Sequence, residues 1–320
     1  MRARAGRRRF RHAAEESRFG PGAQQHATIR RFGHEGRDQE APRPLLVDAA
    51  RARCGAVAAS APDTPFPWAM MMAGMLLAGP LVCGASQAMN DWCDRHVDAI
   101  NQPERPIPSG RLPGRTGFYV AVGATLVSLG YAALLGPLVL AAAALALLSG
   151  WAYSAPPLRL KTSGWWGAGL TGLSYEGLAW ITGSLVIGGG AAMGRPMLVL
   201  FAVLYSIGAH GIMTLNDFKA VEGDREMGIA SLPVTMGVDR AVRLACAVML
   251  VPQLIVAALL FAEAMPVRGG AILLLALGQL ALMRRLVRDP VRFAPWYNGT
   301  GVVLYVAGMM VAAFAVRASL

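Results

Sequence analysis

The sequence predicts an all-α fold, a polytopic bundle of transmembrane helices. Three observations predict it. The 320 residues are 55% hydrophobic and 15% charged, where soluble domains average about 25% charged. Mean hydropathy is +0.43. Apolar stretches recur at about 20 residues, the length that crosses a bilayer's hydrocarbon core. A large soluble α-helical domain is the competing reading, and the low charge argues against it.

Residues 1–64 are rich in Arg, Gly, Ala and Pro and lack periodicity. They are expected to form a basic, mostly disordered extension. Residues 1–53 hold 13 of the 30 Lys and Arg but 6 of the 19 Asp and Glu. The basicity is thus largely a tail property, and no folded nucleic-acid module follows it, so no nucleic-acid partner is expected. A weak helix at 44–61 contains Asp48, Arg51 and Arg53. Beyond it, residues 65–320 form the transmembrane domain. Its expected spans are 66–89, 116–135, 137–153, 166–189, 196–215, 240–262, 268–284 and 296–316: eight regular helices after one degenerate first helix. The cysteines, Cys54, Cys83, Cys93 and Cys246, form no CxxC pair, so neither a zinc site nor a disulfide framework is indicated. No apolar core with a cleavage site stands at the N-terminus, and no signal peptide is expected.

Orientation follows from Lys and Arg. Alternate loops between the spans carry 14 of them, against 3 (Arg195, Arg268 and Arg317) on the opposite side. The richer side is expected in the cytoplasm, which makes the chain a multi-pass protein of the cytoplasmic (inner) membrane.

On that side the first span ends in "NDWCDRHVD", with Asp91, Asp94 and Asp98. At 100° per residue they fall within an arc of about 60° on one helix face. The chain repeats the pattern. A shift of 126 residues superposes Asn90 on Asn216, Asp91 on Asp217 and Asp98 on Asp224, while Asp94 falls on Ala220. On one continuous helix Asp217 and Asp224 would lie about 20° apart, and Glu222 adds a carboxylate nearby. Stacked carboxylates repel unless a cation sits among them. Mg²⁺ suits them: it is hard, prefers oxygen, and is held by one or two carboxylates with phosphate oxygens and water. Two such clusters facing each other would clamp a diphosphate. Arg105, Arg111, Arg159, Lys161, Lys219 and Arg225 in the neighbouring loops add positive charge. A solvated helix cap explains a single acidic cluster well, and two in register poorly. A cation or proton pathway of a transporter is a further alternative, but the acids sit at helix ends and not at mid-span.

These residues resemble the UbiA superfamily of intramembrane prenyltransferases. Asn90-Asp91-x-x-Asp94-x-x-x-Asp98 matches the family's first acidic motif. The second departs at Ala220, where many members have Asp. "NDFKAVEGDR", "YSAPPLRLK" (153–161), "GAHGIMTLNDFK" and "PWYNGTG" (295–301) are similar to the chlorophyll and bacteriochlorophyll synthase branch. "GWWG" and "APWYNGTGV" are closer to its bacterial members. The likeness covers about 66–316 and fades near Cys54, so the N-terminal segment is read as an extension or an upstream frame error in the gene model. A chain of the latter kind would lack a regular first helix, where the family pattern has nine.

The resemblance implies an enzyme, a prenyltransferase with Mg²⁺ as cofactor, working at the cytoplasmic face. The propionate of chlorophyllide or bacteriochlorophyllide would attack C1 of geranylgeranyl or phytyl diphosphate, a prenyl diphosphate, and release diphosphate. It implies Asp91, Asp94, Asp98, Asp217 and Asp224 as catalytic groups that, with Glu222, hold the metal. Asn90, Asn216 and Tyr153 join the six basic residues as candidate substrate contacts. A carboxylate nucleophile is already ionised and needs no general base, which suits a sequence without a Ser/His/Asp constellation. A quinone- or heme-type prenyltransferase is the nearest alternative. Two further groups stand out. His210, seven residues before Asp217, is either bonded to a neighbouring helix or an axial ligand to the acceptor's central magnesium. Glu176 lies near mid-span, where a carboxylate costs roughly 3 kcal/mol, and is expected to face an internal cavity and not lipid.

Overall fold

The computed structural model describes residues 44–319. The disorder expected of the basic tail falls, as far as residue 43, outside the described residues. Among the described residues there are no strands, only an isolated bridge between Ser163 and Ala230. Eight segments are long and apolar enough to cross a membrane: Trp68–Ala99, Thr116–Leu135, Pro137–Ser154, Gly164–Gly194, Pro196–Asp217, Val238–Ala262, Pro266–Arg288 and Pro290–Ala318.

The helices are α1 (Pro44–Ala59), α2 (Trp68–Leu76), α3 (Gly84–Asn101), α4 (Thr116–Leu135), α5 (Pro137–Ser154), α6 (Gly164–Gly172), α7 (Ala179–Gly188) and α8 (Pro196–Asp217). They continue with α9 (Val221–Glu226), α10 (Leu232–Met236), α11 (Val238–Ala262), α12 (Pro266–Arg288), α13 (Pro290–Asn298) and α14 (Gly301–Ala318). Prolines open α5, α8, α12 and α13, where a missing N–H costs nothing. Two spans widen into π-helical turns, Leu77–Cys83 between α2 and α3 and Leu173–Leu178 between α6 and α7. The first contains Pro80, and the wide turn absorbs a residue that neither donates nor fits a tight i−4 contact. The chain resolves into two compact units, one containing Asp94–Gly114, the other Arg43–Cys93 with Arg115–Leu320.

In the larger unit α8 packs on α6 and α11, α11 on α12, α12 on α14, and α14 on α1. The weak segment near 44–61 thus becomes α1, a packed helix that also lies against α7 and α2. Hydropathy understates it because it packs through small residues, not bulky ones. Ala52, Cys54, Ala56 and Ala58 are buried. A methyl group on Gly55 would collide with the Trp180 carbonyl, and one on Gly183 with the Ala52 carbonyl. Backbones that approach this closely gain dispersion contacts that lipid cannot supply. Ser184 Oγ donates to the Gly55 carbonyl oxygen at 3.2 Å across the same crossing.

Several polar contacts inside the bundle tie one helix to another segment. Gln253 on α11 and Gln279 on α12 exchange amide hydrogen bonds of 3.2 and 2.8 Å. Tyr305 on α14 donates to the Tyr205 carbonyl oxygen at 2.6 Å. Arg195 donates to the Ala59 carbonyl oxygen at 3.1 Å, satisfying a C-terminal carbonyl of α1. Arg317 donates to the Ala61 carbonyl oxygen at 3.4 Å. Two of the three arginines on the sparsely charged side are therefore held against the backbone at the end of α1.

Replacing Gly55 or Gly183 by Leu is expected to lower stability by about 1–3 kcal/mol or more, through overpacking at the α1–α7 crossing. Gly123, on α4, has open space around its Cα, so Gly123→Ala should hold or raise the thermal midpoint. Thermal unfolding of the detergent-solubilised protein compares the three.

Candidate active site

The first acidic motif rides on α3. Asn90 lies where α3 passes the end of α5, and its Nδ2 donates to Ser154 Oγ at 3.2 Å. Asp91 follows on the same helix. Trp92 packs against Phe118 at 5.9 Å between ring centroids. Asp94 and Asp98 belong to the unit Asp94–Gly114, whose fold is local. Asp98 is buried and accepts from Arg105 Nη1 at 3.1 Å. Arg111 Nη2 donates to the Glu104 carbonyl oxygen at 2.6 Å and its Nε to Ser109 Oγ at 3.2 Å. The prolines of "PERPIPSGRLPG" preclude a regular helix here, and backbone turn bonds such as Ser109 N–H to the Arg105 carbonyl oxygen, 3.0 Å, take its place. Arg105, read from sequence as a substrate contact, is thus also an ion-pair partner of Asp98.

The second motif differs from the continuous helix expected for it. α8 ends at Asp217, a turn covers 218–220, and α9 restarts at Val221. The physical reason lies in "DFKAVEG". Phe218 is buried, and the chain turns over it with Ala220 N–H bonded to the Asp217 carbonyl oxygen at 3.0 Å. Asp217 and Asp224 therefore do not share one helix face. Burial pushes the Asp224 carboxyl above its ordinary value. The segment closes at Gly228, whose φ of 68° favours glycine.

The basic loop "YSAPPLRLK" is tied to this motif by backbone. Ala230 N–H donates to the Thr162 carbonyl oxygen at 2.9 Å, and Gly164 N–H to the Ala230 carbonyl oxygen at 2.8 Å. The structure so joins the chain that bears Tyr153, Arg159 and Lys161 to the chain that follows Asp217, Lys219, Glu222, Asp224 and Arg225. Arg159 adopts a left-handed backbone, φ 39°, which costs a residue with a Cβ about 1–3 kcal/mol.

His210 sits two turns before Asp217 on α8. Its ring lies 5.4 Å from that of Trp165. Nε2 is buried and has no hydrogen-bond partner among the described residues. Glu176, in the second π-helical turn, is completely buried. Its Oε1 lies 2.6 Å from Arg51 Nε on α1, and the Arg51 guanidinium also stands 6.0 Å over the Tyr175 ring. Glu176 thus faces protein and not lipid, and its carboxylate serves Arg51. Sequence reading treated Arg51 as a mark against a helix. Its signal was the solitary mid-span carboxylate, which required a cation somewhere.

The donor set for a metal consists of carboxylate oxygens. Among the described residues no three His, Cys, Asp or Glu side chains converge as a ready-made ligand cage. One or two carboxylates with phosphate oxygens and water are what Mg²⁺ uses, and the motifs offer carboxylate oxygens at the ends of two spans, so the residues fit that ion.

Fold and site together define an integral, multi-pass membrane protein with acidic motifs at the ends of two spans. Residues 52–297 match the UbiA prenyltransferase family model. The chain belongs to that family and is a prenyltransferase. It is 56% identical over 250 residues to the bacteriochlorophyll synthase 33 kDa chain of Cereibacter sphaeroides, covering 78% of this chain and 82% of that one. It is 36% identical over 275 residues to the chloroplastic chlorophyll synthase of Oryza sativa subsp. japonica, covering 82% and 71%. A UbiA homolog from Archaeoglobus fulgidus, solved bound to DMAPP and Mg²⁺, shares the fold with a TM-score of 0.59 at 18% identity, covering 87% of this chain and 96% of that one.

Removing one member of the Arg51–Glu176 pair leaves a buried charge alone. Arg51→Met is expected to cost about 3–5 kcal/mol, and Arg51→Met with Glu176→Leu distinctly less. A thermal midpoint for the double variant below that of Arg51→Met would show that the pair's charges are not what hold α1.

Proposed function

We propose that this protein esterifies the propionate of bacteriochlorophyllide a with geranylgeranyl or phytyl diphosphate, at the cytoplasmic face of the inner membrane. The observation that carries the reading is the 56% identity to a bacterial bacteriochlorophyll synthase against 36% to a plant chlorophyll synthase. The intact Asn90-Asp91-x-x-Asp94-x-x-x-Asp98 motif supports it.

In this reading Asp91, Asp94 and Asp98 of one motif and Asp217, Glu222 and Asp224 of the other hold Mg²⁺ and through it the diphosphate. The bound metal supplies positive charge against the negative charge that builds on the departing diphosphate. Arg159, Lys161, Lys219 and Arg225 add to that field, and Arg111 and Tyr153 are further candidate substrate contacts. The propionate arrives ionised. Its oxygen forms a bond to C1 as the C1–O bond to diphosphate breaks, and the electron pair leaves with diphosphate. No side chain has to take a proton, so the chain's work is positioning and charge stabilisation. The apolar helices accept the prenyl chain and the macrocycle. His210, on α8 two turns before Asp217 and beside the Trp165 ring, is in this reading the axial ligand to the macrocycle's magnesium.

Membranes bearing the protein should form ester from bacteriochlorophyllide, and Asp91→Asn should lose most turnover, on the order of 100-fold or more, as expected for an electrostatic group acting in the transition state. A crossed assay measures this, with chlorophyllide and bacteriochlorophyllide, both diphosphates, and a Mg²⁺ series. A preference for 4-hydroxybenzoate or homogentisate would transfer the chain to the quinone branch, and equal activity of Asp91→Asn at every Mg²⁺ concentration would remove the metal assignment.

His210→Ala should weaken binding of the metal-bearing acceptor and leave the metal-free acceptor nearly unaffected, since the latter has no axial bond to lose. Spectral titration with both acceptors reads this. Equal losses for the two would make His210 a packing residue.

A further inference from the structure

The two acidic motifs share a second feature beside their carboxylates: each opens with an asparagine. In the structure neither side chain is left to a ligand alone. Asn90 Nδ2 donates to Ser154 Oγ, at the last residue of α5, at 3.2 Å. Asn298 Nδ2, at the last residue of α13, donates to Asn216 Oδ1 at 3.4 Å. Both partners are helix-terminal residues, both come from another helix, and both hold the residue directly before an aspartate. Ser154 and Asn298 are not related by the 126-residue repeat, so the two clamps were reached separately.

The second clamp also accounts for "WYNGTG", which the proposed reaction leaves idle. Tyr297 is fully buried, and Gly301 packs so tightly on its ring that a methyl group there would collide with it. That fixes the end of α13 and with it the Asn298 amide. Asn298 Oδ1 is buried without a partner among the described residues. A buried acceptor left unpaired costs about 1–3 kcal/mol, and the cost persists where the amide is held for another purpose. In the first clamp Ser154 is itself buried.

We infer that Ser154 and Asn298 are positioning residues, which act through Asn90 and Asn216 to set Asp91 and Asp217 for a divalent cation carrying a diphosphate. The inference rests on the proposed metal site. Groups that orient a ligand from outside the coordination shell govern affinity by about 10–100-fold, and a hydrogen bond to the residue preceding each aspartate ties the helix there, mid-α3 in the first motif and the end of α8 in the second, to a neighbouring helix.

The test uses the full chain in nanodiscs, with Mn²⁺ as probe in the presence of inorganic diphosphate, read by loss of the free-ion EPR signal. Ser154→Ala and Asn298→Ala should each weaken Mn²⁺ binding about tenfold with the thermal midpoint nearly unchanged. Asn298→Ser, too short to reach Asn216, should repeat the loss should the alanine variant misfold. Asn298→Ala should add nothing in an Asn216→Ala background, nor Ser154→Ala in Asn90→Ala. Wild-type Mn²⁺ affinity in Ser154→Ala and Asn298→Ala, whatever their thermal midpoints, would overturn the inference, and so would losses that add. A wild-type chain that binds no Mn²⁺ would instead overturn the metal site itself, while tight binding abolished by Asp91→Asn would leave that site standing and test the clamps alone.

Discussion

Hydrocarbon solvates neither charge nor unpaired backbone, and that constraint arranges this protein. Every backbone polar group within a span must be met by its own helix or a neighbour. Among the described residues the charged side chains accordingly lie largely towards helix ends, and Arg51 and Glu176 form a buried pair inside. Glu176 and Arg51 meet at 2.6 Å, and each removes the cost of burying the other. The pair reaches from a π-helical turn to α1, so the only way to shelter the carboxylate also recruits a helix that hydropathy would have discarded. Small residues then complete the contact: Gly55 and Gly183 let α1 and α7 touch backbone to backbone.

The eight spans were legible because the bilayer imposes one length on each; six have observed limits within about five residues of the expected ones, while the first runs on to Ala99 because α3 carries the acidic motif and the last begins at Pro290 with α13. α1 was legible only as a weak helix. Its stability comes from contacts with α7 and α14, and a sequence window sees its arginines without their partners. The same limit applies to Asn298 and Ser154. Each is distant in sequence from the asparagine it holds, and the period that exposes a helix face says nothing about what meets that face.

The acidic motifs were legible as a repeat because charge is rare in this chain, and seven of the 13 acids outside the first 53 residues lie in two short stretches. Their geometry was less so. A helical wheel places Asp217 and Asp224 on a single face, whereas the structure turns between them over buried Phe218. Helix termination depends on what the next residues can bury, and that is settled by α8's neighbours.

This turn also changes what Ala220 means. In the first motif α3 continues unbroken through Asp94 and Asp98 to Asn101, so Asp94 lies on the stacked face. In the second, residue 220 stands before the first residue of α9 with φ −115°. Its Cβ does not project from the face that carries Asp217. An aspartate there would not reproduce the stacking expected of Asp91, Asp94 and Asp98, and its alanine is consistent with a second cluster assembled differently: one carboxylate from the end of a span, the others from a short helix that follows a turn. The repeat preserves the charges at its two ends while the path of the chain between them diverges. A cation that accepts oxygens from several directions tolerates that divergence, where a ligand read by a fixed array of hydrogen bonds would not.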